Sequence, residues 1–167
     1  DADIYGPSVP HMLGAPHQRP TSPDNQHITP IKAHGLSANS IGFLMDEDNA
    51  TIWRGPMASS ALSQLLNETL WDSLDYLVID MPPGTGDIQL TLSQQIPVTG
   101  AVVVTTPQDI ALLDAVKGVS MFERVSVPVL GIVENMSMHI CSNCGHHEAI
   151  FGTGGAEKMA QKYNVCL

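Results

Sequence analysis

Two cysteines separated by two residues are the most specific chemical signal in this sequence. Cys141 and Cys144 lie within residues 139–147, with Gly145 directly after the second cysteine and histidines on both sides. This spacing lets two thiolates converge on one metal or redox centre. Two thiolates are half of a four-thiolate site, and the chain has no second C-x-x-C.

Three completions of the cysteine pair remain open. A two-fold symmetric dimer could supply a second pair and hold an iron–sulfur cluster between its subunits. His146 and His147 could instead complete a zinc site within one chain, although they follow Cys144 too closely to surround a tetrahedral ion easily. A thioredoxin-like dithiol is the third alternative, and it fits less well because the motif does not lie in the first βα turn.

A second candidate site follows Asp80, which ends a short apolar run and precedes a Pro-Gly turn. Ligands of open α/β sheets bind outside the carboxyl ends of strands, so Asp80 would face a metal-bound phosphate. Gly84 and Gly86 would let backbone N–H groups approach phosphate oxygens, and the next helix adds its positive end. The alternative is an ordinary Pro-Gly turn with Asp87 as a helix cap.

Two carboxylates begin the chain. Asp1 and Asp3 are two residues apart, so on an extended segment their side chains face the same side. Such a pair suits one acid for a metal-bound water and one for orienting a nucleophile. The alternative is a pair of solvated acids before the Gly6-Pro7 turn.

Polar residues also end the two later apolar runs. The Asn135 amide has two donors and an acceptor and could read a purine edge, or it could simply cap a turn. Residues 105–109 are either a helix cap or a pocket wall, with Pro107 and Gln108 as candidate cofactor contacts.

The elements that must position these residues follow from apolar patterning. Three continuous apolar runs, at residues 76–80, 100–105 and 129–134, predict strands buried on both faces of a parallel sheet. Helical patterns between them, at 88–95 after Asp87 and at 110–124 after Asp109, complete βαβ units. We therefore predict an α/β fold with a doubly wound, mostly parallel sheet.

The remaining segments give weaker predictions. Residues 7–30 hold six of the twelve prolines and read as irregular structure. A strand is predicted near residues 41–45, a helix over about 57–70, and a last helix over 157–163.

Composition excludes several classes of function. The 167 residues carry 7 Lys and Arg against 17 Asp and Glu, a formal net charge of −10, so no basic patch for nucleic acid is expected. No apolar run approaches the ~20 residues of a membrane span. Three cysteines do not form a disulfide framework, which favours a reducing cytoplasm. Because the chain opens on Asp1 rather than Met, we expect it to be the middle of a longer protein.

Taken in order, these segments resemble the Mrp (ApbC) family of iron–sulfur cluster carrier ATPases. That family belongs to the deviant-Walker P-loop class, with MinD and the nitrogenase iron protein. The resemblance rests on seven motifs: DADIYGPSVP at 1–10, WRGPMAS at 53–59, DMPPGTGDIQ at 80–89, TTPQDIA at 105–111, ENMS at 134–137, CSNCG at 141–145 and FGTGG at 151–155.

The resemblance implies roles for matching residues. Asp3 would orient the attacking water, with Asp1 near the metal beside it. Asp80 would be the Walker B acid that holds magnesium through water, and Gly84 the switch II glycine at the γ-phosphate. Asn135 would read adenine.

The resemblance also implies a cargo and partners. Cys141 and Cys144 would bridge a [4Fe-4S] cluster with the same pair of a second subunit. Such a homodimer would receive clusters from scaffold proteins and deliver them to apoproteins. A MinD-like regulatory ATPase and a non-enzymatic zinc-stabilised interaction module are the alternatives.

One family motif is missing from the chain. No stretch reads G-x-x-x-x-G-K-[ST], the Walker A loop that cradles phosphates. The resemblance therefore makes residues 1–167 a single partial P-loop NTPase domain, incomplete at both ends. ATP hydrolysis with Mg²⁺ is expected of the full-length protein, and this chain alone is expected to be inactive.

Overall fold

The computed structural model describes residues 1–45, 53 and 55–167, apart from the side chains of Asp87 and Gln94. Contacts divide the chain into two compact units, residues 1–83 with 87–91 and residues 84–86 with 92–167, which are described separately. The single domain expected for residues 1–167 stays a prediction. In the described ranges, no helix has the length and apolar character needed to cross a bilayer.

Twelve elements are present in the residues that the structure describes. In order they are α1 (Val9–Met12), β1 (Ile31–Ala33), β2 (Leu36–Ala38), a 3-10 turn (Ile41–Phe43), α2 (Gly55–Asn67), α3 (Asp87–Gln95), β3 (Ala101–Thr105), α4 (Asp109–Arg124), β4 (Val129–Glu134), β5 (His139–Ile140), β6 (His147–Glu148) and α5 (Gly155–Tyr163).

A parallel βαβ unit, β3–α4–β4, organises the second unit of the chain. Strands β3 and β4 pair in parallel, with Val103 opposite Ile132 and Thr105 opposite Glu134. The predicted strands at 100–105 and 129–134 and the helix between them are confirmed, and with them the α/β class. Because the strands are parallel and Thr105 pairs with Glu134, the loops after these two residues leave the sheet at the same edge.

One face of the β3–β4 pair is buried and the other is accessible. The buried core combines residues of both strands with residues of α4 and α5: Val103, Ala115, Val119, Ile132, Ala156, Met159 and Ala160. On the opposite face, Val102 and Val104 are 55% and 62% exposed. The expectation of burial on both faces is therefore wrong for the described residues, because α4 and α5 contribute to the same core.

The start of α5 lies so close to its neighbours that only glycine fits. A Cβ atom on Gly155 would lie 2.4 Å from Cδ1 of Leu112 and 2.9 Å from the carbonyl oxygen of Pro107. We expect Gly155→Ala to lower the free energy of unfolding of the intact protein by about 1–3 kcal/mol, through overpacking. Chemical denaturation measures this change.

Gly118→Ala in α4 is the matched control. Apart from the adjacent residues and the backbone of α4 itself, no atom of the described residues lies within 4 Å of the Cβ that this substitution adds. Alanine is favoured over glycine inside a helix by roughly 0.5–1 kcal/mol, so this variant should be slightly more stable. Equal destabilisation by the two substitutions would contradict the close-approach argument.

The first unit contains a β-hairpin and a small core of its own. Strands β1 and β2 pair antiparallel, and Ile31 packs with Ala15 and Phe43. The strand predicted at residues 41–45 is wrong, since residues 41–43 form a 3-10 turn. The Ser40 hydroxyl accepts a hydrogen bond from the Gly42 N–H at 3.1 Å, which bends the chain at this point.

The strand predicted at residues 76–80 is also wrong. Tyr76 and Val78 are 87% and 85% exposed, and no strand is assigned there. An extended segment forms a strand only where another segment pairs with its backbone. Within the described residues, β3 pairs with β4 rather than with residues 76–80. The run is held by a backbone hydrogen bond from the Ala2 N–H to the Asp80 carbonyl, at 2.7 Å.

The helix boundaries differ from the predicted ones by a few residues. Helices α3 and α4 begin at Asp87 and Asp109, with Gly86 and Gln108 at the N-cap positions, so neither aspartate is the cap. Helix α2 begins and ends earlier than predicted, and α5 begins two residues earlier. Arg54 of the 53–59 motif lies outside the described residues.

Candidate functional site

The candidate site residues divide between the two units. Asp1, Asp3 and Asp80 lie in the first, whereas Gly84, Pro107, Gln108, Asn135, Cys141 and Cys144 lie in the second. The geometry of each group is given separately.

Both carboxylates of the N-terminal acidic pair bind nearby polar groups. One oxygen of Asp1 accepts from the Ser40 hydroxyl at 2.8 Å, and the other accepts from the Asp3 N–H at 3.1 Å. Oδ1 of Asp3 accepts from the N–H groups of Tyr5 and Gly6, at 3.1 and 3.0 Å. Asp1 therefore anchors the segment to the loop before the 3-10 turn, while Asp3 shapes the turn that follows it.

Asp80 lies beside this acidic segment. Its carbonyl oxygen accepts from Ala2, and its side chain is exposed. Within the described residues, however, no group of three or more His, Cys, Asp or Glu side chains is arranged to hold a metal ion directly.

Sequence reasoning missed Gln89, which holds the beginning of the Pro-Gly turn. Its side chain is 3% exposed, and Nε2 donates to the Pro82 carbonyl at 3.0 Å. The sequence offered a weak signal, because Gln89 lies in the first turn of a helix that directly follows the loop.

Gly84 belongs to the second unit and has a left-handed backbone. Its φ is +94°, and no atom lies within 4 Å of the position that a Cβ would take. The conformation, rather than lack of space, therefore favours glycine at this position. An exposed glycine without a side chain lets a ligand approach the backbone closely.

Asn135 and the 105–108 loop meet at the carboxyl edge of the sheet. The Asn135 N–H donates to the Thr105 carbonyl at 2.7 Å, and its Oδ1 accepts from the Met136 N–H at 2.9 Å. Pro107 and Gln108 line a cavity of about 510 Å³ that Asn135 does not line. The remaining walls of that cavity come from α4, the 151–155 loop and α5, including Lys158 and Lys162.

A short hairpin, residues 139–148, presents the two cysteines; we call it the cysteine hairpin. Strands β5 and β6 pair antiparallel, with Ile140 opposite His147. The Cys141 N–H donates to the His146 carbonyl, and the Gly145 N–H donates to the Cys141 carbonyl, both at 2.9 Å. Gly145 has a φ of +69°, which suits glycine and closes the turn. Cys144 is exposed and Cys141 is half-buried.

The cysteine hairpin stabilises a thiolate. Hydrogen bonds from the backbone N–H groups of Cys144 and Asn143, and then from the Cys144 side chain, lower the pKa of Cys141 below its usual value. N–H groups that point at a sulfur favour its charged form, which is the form that binds metal.

This electrostatic arrangement predicts the pH dependence of Cys141 alkylation. A lowered pKa keeps the thiolate present to lower pH, so the alkylation rate in the metal-free protein should reach half its maximum at a lower pH than in the unfolded protein. In unfolded protein the N–H contacts are lost, and the midpoint should return to the ordinary value. A folded-state midpoint at or above the unfolded one would contradict the prediction.

The structure does not bring the histidines to the cysteine pair as a zinc site. His146 and His147 are exposed. In the part of the chain that the structure describes, no metal-binding group of three or more such residues includes them. The two cysteines therefore stand as a pair.

The fold and the site together define a class of protein. A parallel βαβ unit whose strands end in polar loops is typical of an α/β protein that binds its ligand at the carboxyl edge of the sheet. The family model described as "ParA: NUBPL iron-transfer P-loop NTPase" matches residues 1–167, so the chain belongs to this family. The resemblance noted from the sequence motifs is thereby confirmed.

Similar proteins carry related descriptions. The chain is 95% identical over 165 residues to an iron–sulfur cluster carrier protein of Haemophilus influenzae, covering 99% of the chain and 45% of the relative. It is 76% identical over 167 residues to one of Escherichia coli K12, covering 100% and 45%. It is 52% identical over 165 residues to the mouse iron–sulfur cluster transfer protein NUBPL, covering 99% and 51%. The chain spans about half the length of these relatives.

A solved structure has the same fold. The nucleotide-binding protein of Archaeoglobus fulgidus in complex with ADP matches with a TM-score of 0.80 and 37% identity, covering 99% of this chain and 64% of that one.

Proposed function

We propose that the protein containing this chain is an ATP-dependent iron–sulfur cluster carrier that works as a homodimer in the cytoplasm. The single observation that carries the proposal is the cysteine hairpin. It brings together an exposed Cys144 and a half-buried Cys141, and N–H hydrogen bonds lower the pKa of Cys141. The relatives described as cluster carriers support an iron–sulfur cluster as the cargo. We propose that this cluster is [4Fe-4S].

The number of thiolates supports a homodimer. A cluster takes about four cysteine ligands, and the chain offers one convergent pair. A two-fold axis beside the cysteine hairpin would add the second pair with no further residue type. Cluster ligands at exposed hairpin tips, rather than in a buried cage, would release the cargo readily to an apoprotein.

The nucleotide side of the proposal rests on the acidic segment and the carboxyl edge of the sheet. Asp80, with an exposed carboxylate, would hold hydrated Mg²⁺, an ion that prefers oxygen ligands and retains water. That ion would neutralise charge on the ATP phosphates. Asp3 would orient the attacking water, with Asp1 fixing the segment. The backbone of Gly84 would approach the γ-phosphate.

Residues of the second unit would contact the nucleotide base. Asn135 would use its amide to recognise the adenine edge, and Pro107 and Gln108 would border the bound nucleotide. Their loops follow neighbouring parallel strands, and ligands of open α/β sheets bind at that edge.

A transfer assay tests the proposed function. The intact protein, anaerobically reconstituted with iron and sulfide, is mixed with an apoenzyme whose activity requires a [4Fe-4S] cluster. We expect the enzyme to be activated at a rate that depends on ATP. No activation beyond that given by free iron and sulfide would overturn the carrier function.

A further inference from the structure

Glu134, which the sequence motifs do not assign a role, uses both oxygens of its carboxylate. It is the last residue of β4 and is partly buried. Oε1 accepts from the Ser137 hydroxyl at 3.0 Å, and Oε2 accepts from the Ala156 N–H at 2.8 Å. One side chain thus joins two positions far apart along the chain.

These two positions are the ends of the segment that carries the cysteines. The chain leaves the sheet after Glu134, turns at Ser137, runs through the cysteine hairpin, and returns to the core at Ala156, which is 0% exposed. The hairpin strands have two residues each, all of them exposed, so the hairpin contributes little core of its own. Its placement on the sheet must therefore come from its two ends.

The contact between Glu134 and Ala156 also supplies a hydrogen-bond acceptor at the start of α5, where the N-cap residue has none. Gly154 occupies the N-cap position with a φ of +71° and has no side chain to accept from the first helical N–H groups. A carboxylate at the N-terminal end of a helix accepts a hydrogen bond from one of these N–H groups. Its negative charge also interacts favourably with the positive end of the helix dipole. Ser137 meanwhile closes the turn after β4, because its hydroxyl also lies 3.0 Å from the Glu134 carbonyl.

We propose that Glu134 is a positioning residue for Cys141 and Cys144, because its carboxylate fastens both ends of the segment that presents them. The fastening holds the hairpin in one orientation on the sheet, so that the two thiolates meet a cluster in fixed geometry. The proposed effect of Glu134 on cluster binding rests on the proposed function. Its attachment of the two ends of the segment does not. Glu134 contacts neither cysteine and acts only through the chain.

The test compares cluster release from variants of the intact protein after anaerobic reconstitution. An iron chelator is added, and loss of the visible absorption is followed. Charge-assisted hydrogen bonds have net values that correspond to roughly tenfold changes or more, so Glu134→Ala should release the cluster about tenfold faster. Ser137→Ala removes one of the two contacts of Glu134 and leaves its contact with Ala156 intact. We expect this variant to release the cluster about threefold faster than wild type. Glu134→Gln keeps the shape of the side chain and one acceptor oxygen. Its rate of cluster release should lie between those of wild type and Glu134→Ala.

Glu157→Gln is the matched control. Glu157 lies in the first turn of the same helix and contacts Gln161 rather than the turn after β4. This variant should change the release rate less than twofold. The visible circular dichroism of the bound cluster, which reports ligand geometry, should change in Glu134→Ala and not in Glu157→Gln. Equal rates in wild type and Glu134→Ala, or an equal effect of Glu157→Gln, would overturn the proposal.

Amide hydrogen exchange separates the two proposals. If the wild type takes up no cluster, the carrier function fails, and the fastening is judged by the amides of Cys141, Gly145 and Ala156. These should exchange about tenfold faster in Glu134→Ala and remain unchanged in Glu157→Gln, while the β3 and β4 amides stay protected. Unchanged protection of all three amides in Glu134→Ala would overturn the fastening itself.

Discussion

Replacing Cys141 or Cys144 by serine is expected to remove nearly all of the iron and sulfide that the reconstituted protein binds. In the proposed homodimer each chain would supply one pair of ligands, so a single substitution would remove two of about four thiolates from the shared cluster. Serine preserves size and leaves the hairpin backbone bonds of Cys141 and Gly145 in place. The loss therefore reports ligation rather than unfolding. Colorimetric iron and sulfide determinations measure it.

Cys166→Ser is the control for the cysteine pair. Cys166 pairs with Gly131 at the other edge of β4 through its backbone, and its carbonyl accepts from the Ile132 N–H at 2.8 Å. Its side chain is not required for that contact, so iron and sulfide should remain at the wild-type level. If the Cys141 and Cys144 variants keep full iron and sulfide, the cysteine hairpin is not the cluster site.

Replacing Asp80 by alanine is expected to lower magnesium-dependent ATP hydrolysis by the intact protein about 100-fold or more. The substitution removes the carboxylate that we propose holds the hydrated ion, and loss of one preorganised electrostatic group typically costs this much. The Asp80 contact with Ala2 uses the backbone carbonyl and survives the substitution. Phosphate release at saturating ATP and Mg²⁺ measures the effect.

Asp75→Ala provides the comparison for Asp80. Asp75 is an exposed acid on the same irregular run, so the substitution makes the same change in net charge. The rate of ATP hydrolysis by the Asp75→Ala protein should stay within twofold of wild type. Unchanged turnover in the Asp80→Ala protein, or an equal loss in both variants, would contradict the role given to Asp80.

Local patterns were sufficient to predict the βαβ unit. The apolar runs at 100–105 and 129–134 and the helix between them depend on residues close in sequence, and the structure has β3, α4 and β4 there. The run at 76–80 has the same apolar character, yet it forms no strand. Pairing with a neighbour decides that outcome, and a single run carries no information about its neighbour.

The contacts that hold the site residues in place could not be predicted from the sequence, because they join residues far apart along the chain. The attachment of Asp1 to Ser40 and that of Glu134 to Ala156 join residues 39 and 22 positions apart. Neither contact has a local signature. The C-x-x-C spacing, in contrast, is itself local, so the convergence of Cys141 and Cys144 could be predicted. The 3-10 turn at 41–43 was missed because the Ser40 hydroxyl, rather than apolar patterning, determines its backbone.

Native mass spectrometry of the anaerobically reconstituted intact protein tests the central claim most directly, because one spectrum reports both the number of chains and the bound inorganic mass. We predict a species of two chains carrying one [4Fe-4S] cluster, which Cys141→Ser and Cys144→Ser lose and Cys166→Ser retains. A monomer carrying one zinc ion, released when His146 and His147 are replaced, would contradict the shared cluster and support a zinc-stabilised module instead.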